Sequence, residues 1–222
     1  PEGRKIIQDS IKVHYGPDGK PDGFMVTVYD DPLHPDAKAS RTVFVDDVYG
    51  NGVTGPDGKP NYASILESAY GQQHPGGALG SGKDNGISGG WPNEAAQDLT
   101  NNPATDVSGQ AGYSSNERKE IINAANSSNP VTAETETAPP ENFPNDDKAE
   151  VGVTLPSGEK TNIELYHGHA YMVVGADQNG VTLANPHGHN NDQTGREVDE
   201  TFTMSWEDYE KYYGSTTIGS VK

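Results

Sequence analysis

The chain has 222 residues, carries 33 Asp and Glu against 15 Lys and Arg for a formal net charge of −18, and contains no cysteine. A chain this acidic repels phosphate groups, which excludes nucleic acid and anionic lipid as expected partners. No run of about 18 apolar residues is present, so no membrane span is predicted. Without cysteine, these residues offer no disulfide, no zinc–thiolate site and no thiol nucleophile.

The first part of the chain combines short strands with turns. Residues 2–13 carry three isoleucines at a spacing that favours a short helical face or the entry to a strand. Alternation of apolar and polar residues predicts strands at Phe24–Tyr29 and Thr42–Asp46. The sequence Gly-Pro-Asp-Gly-Lys-Pro occurs at 16–21 and again at 55–60. Its Pro fixes φ and its Gly supplies a positive φ, so it predicts two similar turns.

Three helices are predicted next. Tyr62–Tyr70 has apolar residues at i, i+3, i+4, i+7 and i+8, which makes one apolar stripe. After a glycine-rich loop at 72–90, a helix is expected to begin at Pro92 and to continue to Leu99, because proline is favoured in the first turn. Ser114 and Glu117 have the spacing of a capping box, which opens a helix that ends at Asn126.

A loop is predicted at 129–149, because this segment holds four prolines and many acidic residues. It is expected to separate two lobes, 1–128 and 150–222. The residues after this loop have the pattern of β-strands. Asp177–Gly180 has the composition of a hairpin turn, and Ser205 caps a final short helix that ends near Gly214. Apolar alternation predicts five strands in this part: Val151–Leu155, Ile163–Tyr166, Ala170–Gly175, Val181–Ala184 and Thr201–Met204.

His169 and Asn185 are the strongest candidates for chemistry. His169 starts one strand of the predicted hairpin and Asn185 ends the next, so the turn should bring the two side chains close together. An amide oxygen that accepts from one ring nitrogen fixes the tautomer and leaves the other nitrogen to face a nucleophile, as in the orienting half of a thiol-protease triad. The alternative is a His and an Asn that only satisfy loop backbone groups.

Five segments, in the same order, resemble the protease core of calpain-type cysteine peptidases, a branch of the papain-like fold. Gly168–Tyr171 is similar to the Gly-His-Ala-Tyr segment around the catalytic His of the family. Asn185–Gly188 is similar to the Asn-Pro-Trp-Gly segment around its catalytic Asn. The other similar segments are the helix at Tyr62–Tyr70, the Ser-Gly-Gly turn at 88–90 with the helix after it, and Phe202–Tyr209.

The resemblance implies an α+β, papain-like fold, with a helical lobe at 1–128 that lacks its nucleophile helix and a β lobe at 150–222. It implies peptide-bond hydrolysis by thiolate attack, with His169 and Asn185 as catalytic residues. Gly89, Gly90 and Gly168 are candidates to bind substrate backbone, because glycine lets two chains approach closely.

The resemblance also implies a missing part. The family places its catalytic Cys at the start of a buried helix, with an oxyanion-hole Gln just upstream, and both should precede Pro1. We therefore expect a second, Cys-bearing polypeptide, produced by autoprocessing or encoded separately, to complete a cysteine endopeptidase. The alternative is a catalytically inactive pseudo-protease that binds a peptide or protein. The acidic composition suits an exported or bacterial protein, for which a self-processing toxin or effector is one hypothesis.

Two metal sites are weaker alternatives, and no cofactor is expected. Histidines at 167 and 169 and at 187 and 189 form two i, i+2 pairs, which on neighbouring strands would assemble three or four ligands. His187 also replaces the family's Trp, which helps gate closure of calpains upon calcium binding, so calcium gating is in doubt. The acidic residues in the stretch where calcium ligands would be sought are Asp192, Asp199 and Glu200; solvated acidic loops are the alternative reading of them.

Overall fold

A computed structural model of the chain describes residues 2–29, 40–48, 59, 61–73, 90–109, 111–145 and 147–220. The described residues form a mixed α+β structure with mostly antiparallel sheets. The chain divides into two compact units, Pro1–Ala104 and Thr105–Val221, and each has its own hydrophobic core. Across these described stretches, no helix is both long and apolar enough to cross a membrane.

The first unit is built on a three-stranded antiparallel sheet in the order β1-β2-β3. Val26 and Val28 of the central strand are buried in one cluster with Ile65 and Leu66 of α2, since alternate residues of a strand share a face. Helices α2 and α3 both pack against β2. The elements of this unit are α1 (Glu2–Ser10), β1 (Ile11–Tyr15), β2 (Pro21–Tyr29), β3 (Ser40–Val45), α2 (Tyr62–Gln73) and α3 (Pro92–Thr100).

The second unit is built on an eight-stranded sheet in the order β4-β13-β5-β8-β9-β12-β6-β7, and β10 pairs separately with β11. A short 3-10 helix spans Pro140–Asn142. The other elements are β4 (Ala104–Ser108), α4 (Ser115–Ala125), β5 (Val131–Glu134), β6 (Lys148–Thr154), β7 (Lys160–Tyr166), β8 (Ala170–Ala176), β9 (Gly180–Ala184), β10 (Asn190–Asn191), β11 (Glu197–Val198), β12 (Thr201–Ser205), α5 (Trp206–Tyr212) and β13 (Ser215–Gly219).

The core of the second unit holds β8, the strand that directly follows His169. On β8, Tyr171 and Val173 are buried while Met172 is exposed, which is the alternation expected of a strand with one buried face. The Tyr171 ring meets that of Tyr213 edge-on at 5.6 Å, and Tyr213 stacks on Tyr209 of α5 at 4.9 Å. Burial of an aromatic side chain of this size contributes about 1.5–3 kcal/mol, so this cluster holds the start of β8 firmly.

The predicted helix starts of this unit are confirmed. The main-chain N–H of Glu117 donates to Ser114 Oγ, and the Glu117 carboxylate accepts from the Ser114 N–H at 2.7 Å, which completes the capping box of α4. Ser205 Oγ accepts from the Asp208 N–H at 3.1 Å and caps α5. These three bonds satisfy N–H groups that have no partner within the helix.

The loop predicted at 129–149 is wrong in part, because it contains β5 and the 3-10 helix. β5 shows only two alternating apolar residues, Val131 and Ala133, among prolines and acidic residues, and it is stabilised by pairing with β8 and β13 on its two sides. The predicted stripe of α2 is also wrong at its first position, since Tyr62 is 64% exposed. Most of the turn predicted at 55–60 and of the loop predicted at 72–90 lies outside the described residues, and the first two residues of that loop belong to α2.

We predict that Gly180→Ala destabilises the second unit. A Cβ at Gly180 would stand 2.1 Å from the main-chain oxygen of Met204, so β9 and β12 would have to separate. Such overpacking costs about 1–3 kcal/mol, measurable as a lower free energy of unfolding in urea. Gly152→Ala on β6 is the control, because its Cβ would lie 3.6 Å from the Asn162 side chain, an ordinary contact. Equal stability of the two variants would contradict the prediction.

Candidate active site

The hairpin of β8 and β9 brings His169 and Asn185 to one end of the sheet. His169 immediately precedes β8 and Asn185 immediately follows β9. The two strands are antiparallel, with Met172 opposite Ala184. Residues just before one strand and just after its antiparallel neighbour therefore lie side by side, as the sequence predicts.

The two side chains are hydrogen bonded. His169 Nε2 lies 3.1 Å from Asn185 Oδ1, and the same oxygen accepts the main-chain N–H of His187 at 3.1 Å. Because an amide oxygen only accepts, the proton of the neutral His169 ring is on Nε2. Nδ1 then carries the lone pair, and it has no hydrogen-bond partner among the described residues.

Thr135 holds the main chain of His169. The His169 N–H donates to Thr135 Oγ1 at 2.9 Å, and the Thr135 N–H donates to the His169 carbonyl at 3.0 Å. The Thr135 hydroxyl itself lies 2.7 Å from the Tyr166 carbonyl, at the end of β7. Thr135 is fully buried, so this side chain joins β7 and β8 on either side of the turn that carries His169. Sequence reasoning missed Thr135, which precedes His169 by 34 residues.

Gly168 forms the turn before His169. Its φ is +70°, in the left-handed region that favours glycine. A Cβ at this position would approach the Glu136 carboxylate to 3.0 Å. A larger residue would therefore strain the turn, which gives Gly168 a conformational reason to be glycine in addition to its predicted contact with substrate.

The other predicted glycines belong to the first unit. Gly90 has a φ of +136° and directly precedes Trp91, the N-terminal cap of α3. Gly89 lies outside the described residues. Their predicted role in binding substrate backbone stays a prediction.

Two aromatic rings surround the His169 ring. Tyr171 meets it edge-on, with 4.7 Å between the ring centres. The His187 ring lies at the same distance, tilted by 42°. Tyr171 is fully buried and His187 is exposed, so the His169 ring contacts one ring of the core and one ring that meets solvent.

The electrostatics favour a neutral His169 ring. Burial lowers the pKa of His169, because the charged form loses solvation. The hydrogen bond to Asn185 opposes this change, and the electrostatic effect of the nearby His187 lowers the pKa further. The net result is a pKa below the usual value of about 6.5, so at neutral pH the ring is a base with its lone pair on Nδ1.

The histidine metal site expected as an alternative gains no support. His167 follows the end of β7, and the left-handed turn at Gly168 separates it from His169, so the two do not share a strand face. The His167 ring packs on Phe143 at 5.0 Å instead. Within the ranges that the structure describes, no group of three or more His, Asp or Glu side chains could hold a metal ion.

The acidic residues considered for calcium close turns of their own. Asp192 Oδ1 accepts from the Thr194 hydroxyl at 2.6 Å and its Oδ2 accepts from Arg196 Nε at 2.9 Å. These donors, led by the Thr194 hydroxyl, hold the pKa of Asp192 far below its usual range. Asp199 accepts the Thr201 N–H at 2.8 Å. Both carboxylates therefore act as turn acceptors, which is the expectation for structural loop residues.

A comparison of the chain with protein-family models and with curated proteins finds no match. The interpretation of the site therefore depends on its geometry and chemistry.

We predict opposite shifts in the pKa of His169 from two substitutions. Asn185→Ala removes the hydrogen bond that stabilises the charged ring and should lower the pKa further. His187→Ala removes a neighbour whose electrostatic effect lowers the pKa of His169 and should raise that pKa. The test is an NMR titration of the ring protons in the three proteins. Any order of pKa values other than His187→Ala above native above Asn185→Ala would contradict this electrostatic account.

The same burial makes stability depend on pH. Because the pKa of His169 is lower in the folded than in the unfolded state, acid protonates the unfolded chain first. The stabilising contribution of His169 should be intact above a pH of about 6.5 and be lost as the pH falls through the folded-state pKa. Urea unfolding at several pH values measures this slope, and His169→Gln should reduce it. An unchanged slope in the variant would contradict the assignment.

We predict that Thr135→Val destabilises the turn at His169. Valine keeps the shape but removes the hydroxyl, which leaves the part-buried His169 N–H without its acceptor at a cost of up to about 1–3 kcal/mol. Thr132→Val, on β5 just before Thr135, is the control, because the buried Thr132 hydroxyl has no hydrogen-bond partner in the described structure. Chemical unfolding should separate the two variants, and equal stabilities would show that Thr135 does not hold the turn.

Proposed function

We propose that this chain is the His- and Asn-bearing portion of a calpain-like cysteine endopeptidase of papain-like fold, completed by a Cys-bearing polypeptide. The observation that carries the proposal is the bond from His169 Nε2–H to the buried Asn185 Oδ1, which leaves Nδ1 as an unoccupied base. A buried amide that orients a half-buried imidazole is the arrangement that thiol peptidases require. The five ordered segments that resemble the calpain family support the same proposal.

In this mechanism Nδ1 of His169 accepts the proton of the incoming thiol. The resulting thiolate and imidazolium form an ion pair, which lowers the pKa of the thiol. The thiolate attacks the carbonyl carbon of the peptide bond, and the imidazolium donates its proton to the leaving amine as the carbon–nitrogen bond breaks. A water molecule then gives a proton to Nδ1 and attacks the thioester, which releases the acid product and regenerates the thiol.

Each described residue of the site has one role in this scheme. Asn185 holds the ring through Nε2 and leaves Nδ1 to accept the proton, and burial keeps the ring neutral until it takes the thiol proton. Thr135 fixes the backbone from which the ring projects. Gly168 would leave room for the substrate backbone.

A catalytically inactive module that binds a peptide or protein is the second candidate. The observation that favours it is the complete lack of cysteine in the 222 residues. Such a module would keep the His169–Asn185 bond for structural reasons and would hold a peptide without cleaving it.

The test is peptidase activity and thiol labelling of the native protein, purified with whatever polypeptide accompanies it. We expect a co-purifying chain that reacts with a cysteine-directed covalent probe and peptide cleavage that the probe abolishes. His169→Ala should reduce cleavage by about 10²- to 10⁴-fold, the usual contribution of a general base, and Asn185→Ala should reduce it less. Denaturing mass analysis without reductant identifies the accompanying chain.

His167→Gln is the matched control, since that ring packs on Phe143 and lies outside the dyad. It should keep full activity. Activity retained in His169→Ala, or a single folded species of 23.6 kDa that binds peptide without cleaving it, would overturn the peptidase proposal and favour the inactive module.

A further inference from the structure

Asn190 lies next to the dyad and makes hydrogen bonds in two directions. It belongs to β10 and is almost fully buried. Its Oδ1 accepts from Asn185 Nδ2 at 3.2 Å. Its Nδ2 donates to the main-chain carbonyls of Asp199 at 2.6 Å and Glu200 at 3.0 Å. Neither the spacing nor the composition of the sequence singled this residue out.

These bonds leave Asn190 one orientation. A main-chain carbonyl only accepts, so the amide group that faces the two carbonyls must be the NH₂ group. The oxygen of Asn190 then faces Asn185, where only a donor fits. Asn185 must therefore turn its own NH₂ group toward Asn190 and its oxygen toward His169.

A second contact supports the same orientation of Asn185. The main-chain N–H of His187 only donates, and it lies 3.1 Å from Asn185 Oδ1. The Glu200 carbonyl, which accepts from Asn190, also accepts the main-chain N–H of Asn185 at 3.0 Å. The turn before β12 therefore holds the backbone of Asn185 directly and its side chain through Asn190.

We propose that Asn190 is a positioning residue that selects the Nε2–H tautomer of His169 by fixing the amide of Asn185. The chain of bonds runs from the carbonyls of residues 199 and 200 through the two amides to the imidazole. Its catalytic meaning rests on the proposed function, because only the Nε2–H tautomer presents a lone pair at Nδ1 to accept a thiol proton. With the Asn185 amide reversed, its NH₂ group would face Nε2, and the ring would carry its proton on Nδ1.

The test uses this chain alone and does not depend on peptidase activity. In ¹⁵N-labelled native protein at a pH above the histidine titration, long-range nitrogen–proton correlation should show His169 only as the Nε2–H tautomer. Asn190→Ala removes the acceptor for Asn185 Nδ2, so the Nδ1–H tautomer should appear in it. Asn190→Asp keeps an acceptor oxygen in place and should retain the single native tautomer.

The two variants separate positioning from a general structural role. The Asn190→Asp substitution sets a carboxylate against two carbonyls, so the unfolding midpoint of this variant should be no higher than that of Asn190→Ala, although its His169 tautomer stays native. Asn191→Ala is the matched control, because the Asn191 side chain makes no hydrogen bond among the described residues, and it should change neither measurement.

Three results would overturn the proposal. They are an Nδ1–H tautomer in the native protein, a single Nε2–H tautomer in Asn190→Ala, and loss of the native tautomer in both Asn190 variants. The first needs no variant and holds even if a substitution prevents folding. Absence of cleavage in the native complex would instead refute the peptidase and leave the tautomer assignment standing.

Discussion

The antiparallel pairing of β8 with β9 is the constraint on which the candidate site depends. Its register brings the end of β9 close to the start of β8, and His169 Nε2 lies 3.1 Å from Asn185 Oδ1. A slip of one residue in the pairing would reverse the two faces of the shifted strand. A slip of β9 would therefore move Asn185 to the opposite side of the sheet. The register is held by burial of Tyr171 and Leu183 on one face and by the close approach of β12 at Gly180, where no Cβ fits.

Burial and hydrogen bonding act in opposite directions on the His169 ring. Burial, the larger effect, lowers its pKa, while the bond to Asn185 raises it. The balance leaves a neutral ring with one defined tautomer, which is the resting state that a proton acceptor needs. The exposed His187 ring lies 4.7 Å from the His169 ring and lowers the pKa of His169 further.

Two buried polar side chains satisfy hydrogen-bonding groups of the dyad. Thr135 serves the backbone of His169, and Asn190 serves the side chain of Asn185. A substitution at either position would leave the group that it serves without a hydrogen-bond partner. Such a loss costs about 1–3 kcal/mol for a buried polar group. This interdependence explains how short loops, at residues 167–169 and 185–190, hold a side chain in one orientation.

Local sequence determined the helix caps at Ser114 and Ser205, the alternation of the β8 strand and the hairpin that pairs His169 with Asn185. These features depend on residues within about 20 positions of one another, whose periodicity and turn chemistry are read directly. Tertiary structure alone decided that Val131–Glu134 is a strand and that Thr135 and Asn190 support the dyad. β5 has too few apolar residues to be predicted from its sequence pattern. It forms because it is hydrogen bonded to β8 on one side and to β13 on the other. Thr135 meets His169 because strands that lie 34 residues apart in the chain pair with each other. Asn190 acts through the orientation of two side-chain amides. Neither relationship can be read from the periodicity or spacing of the sequence.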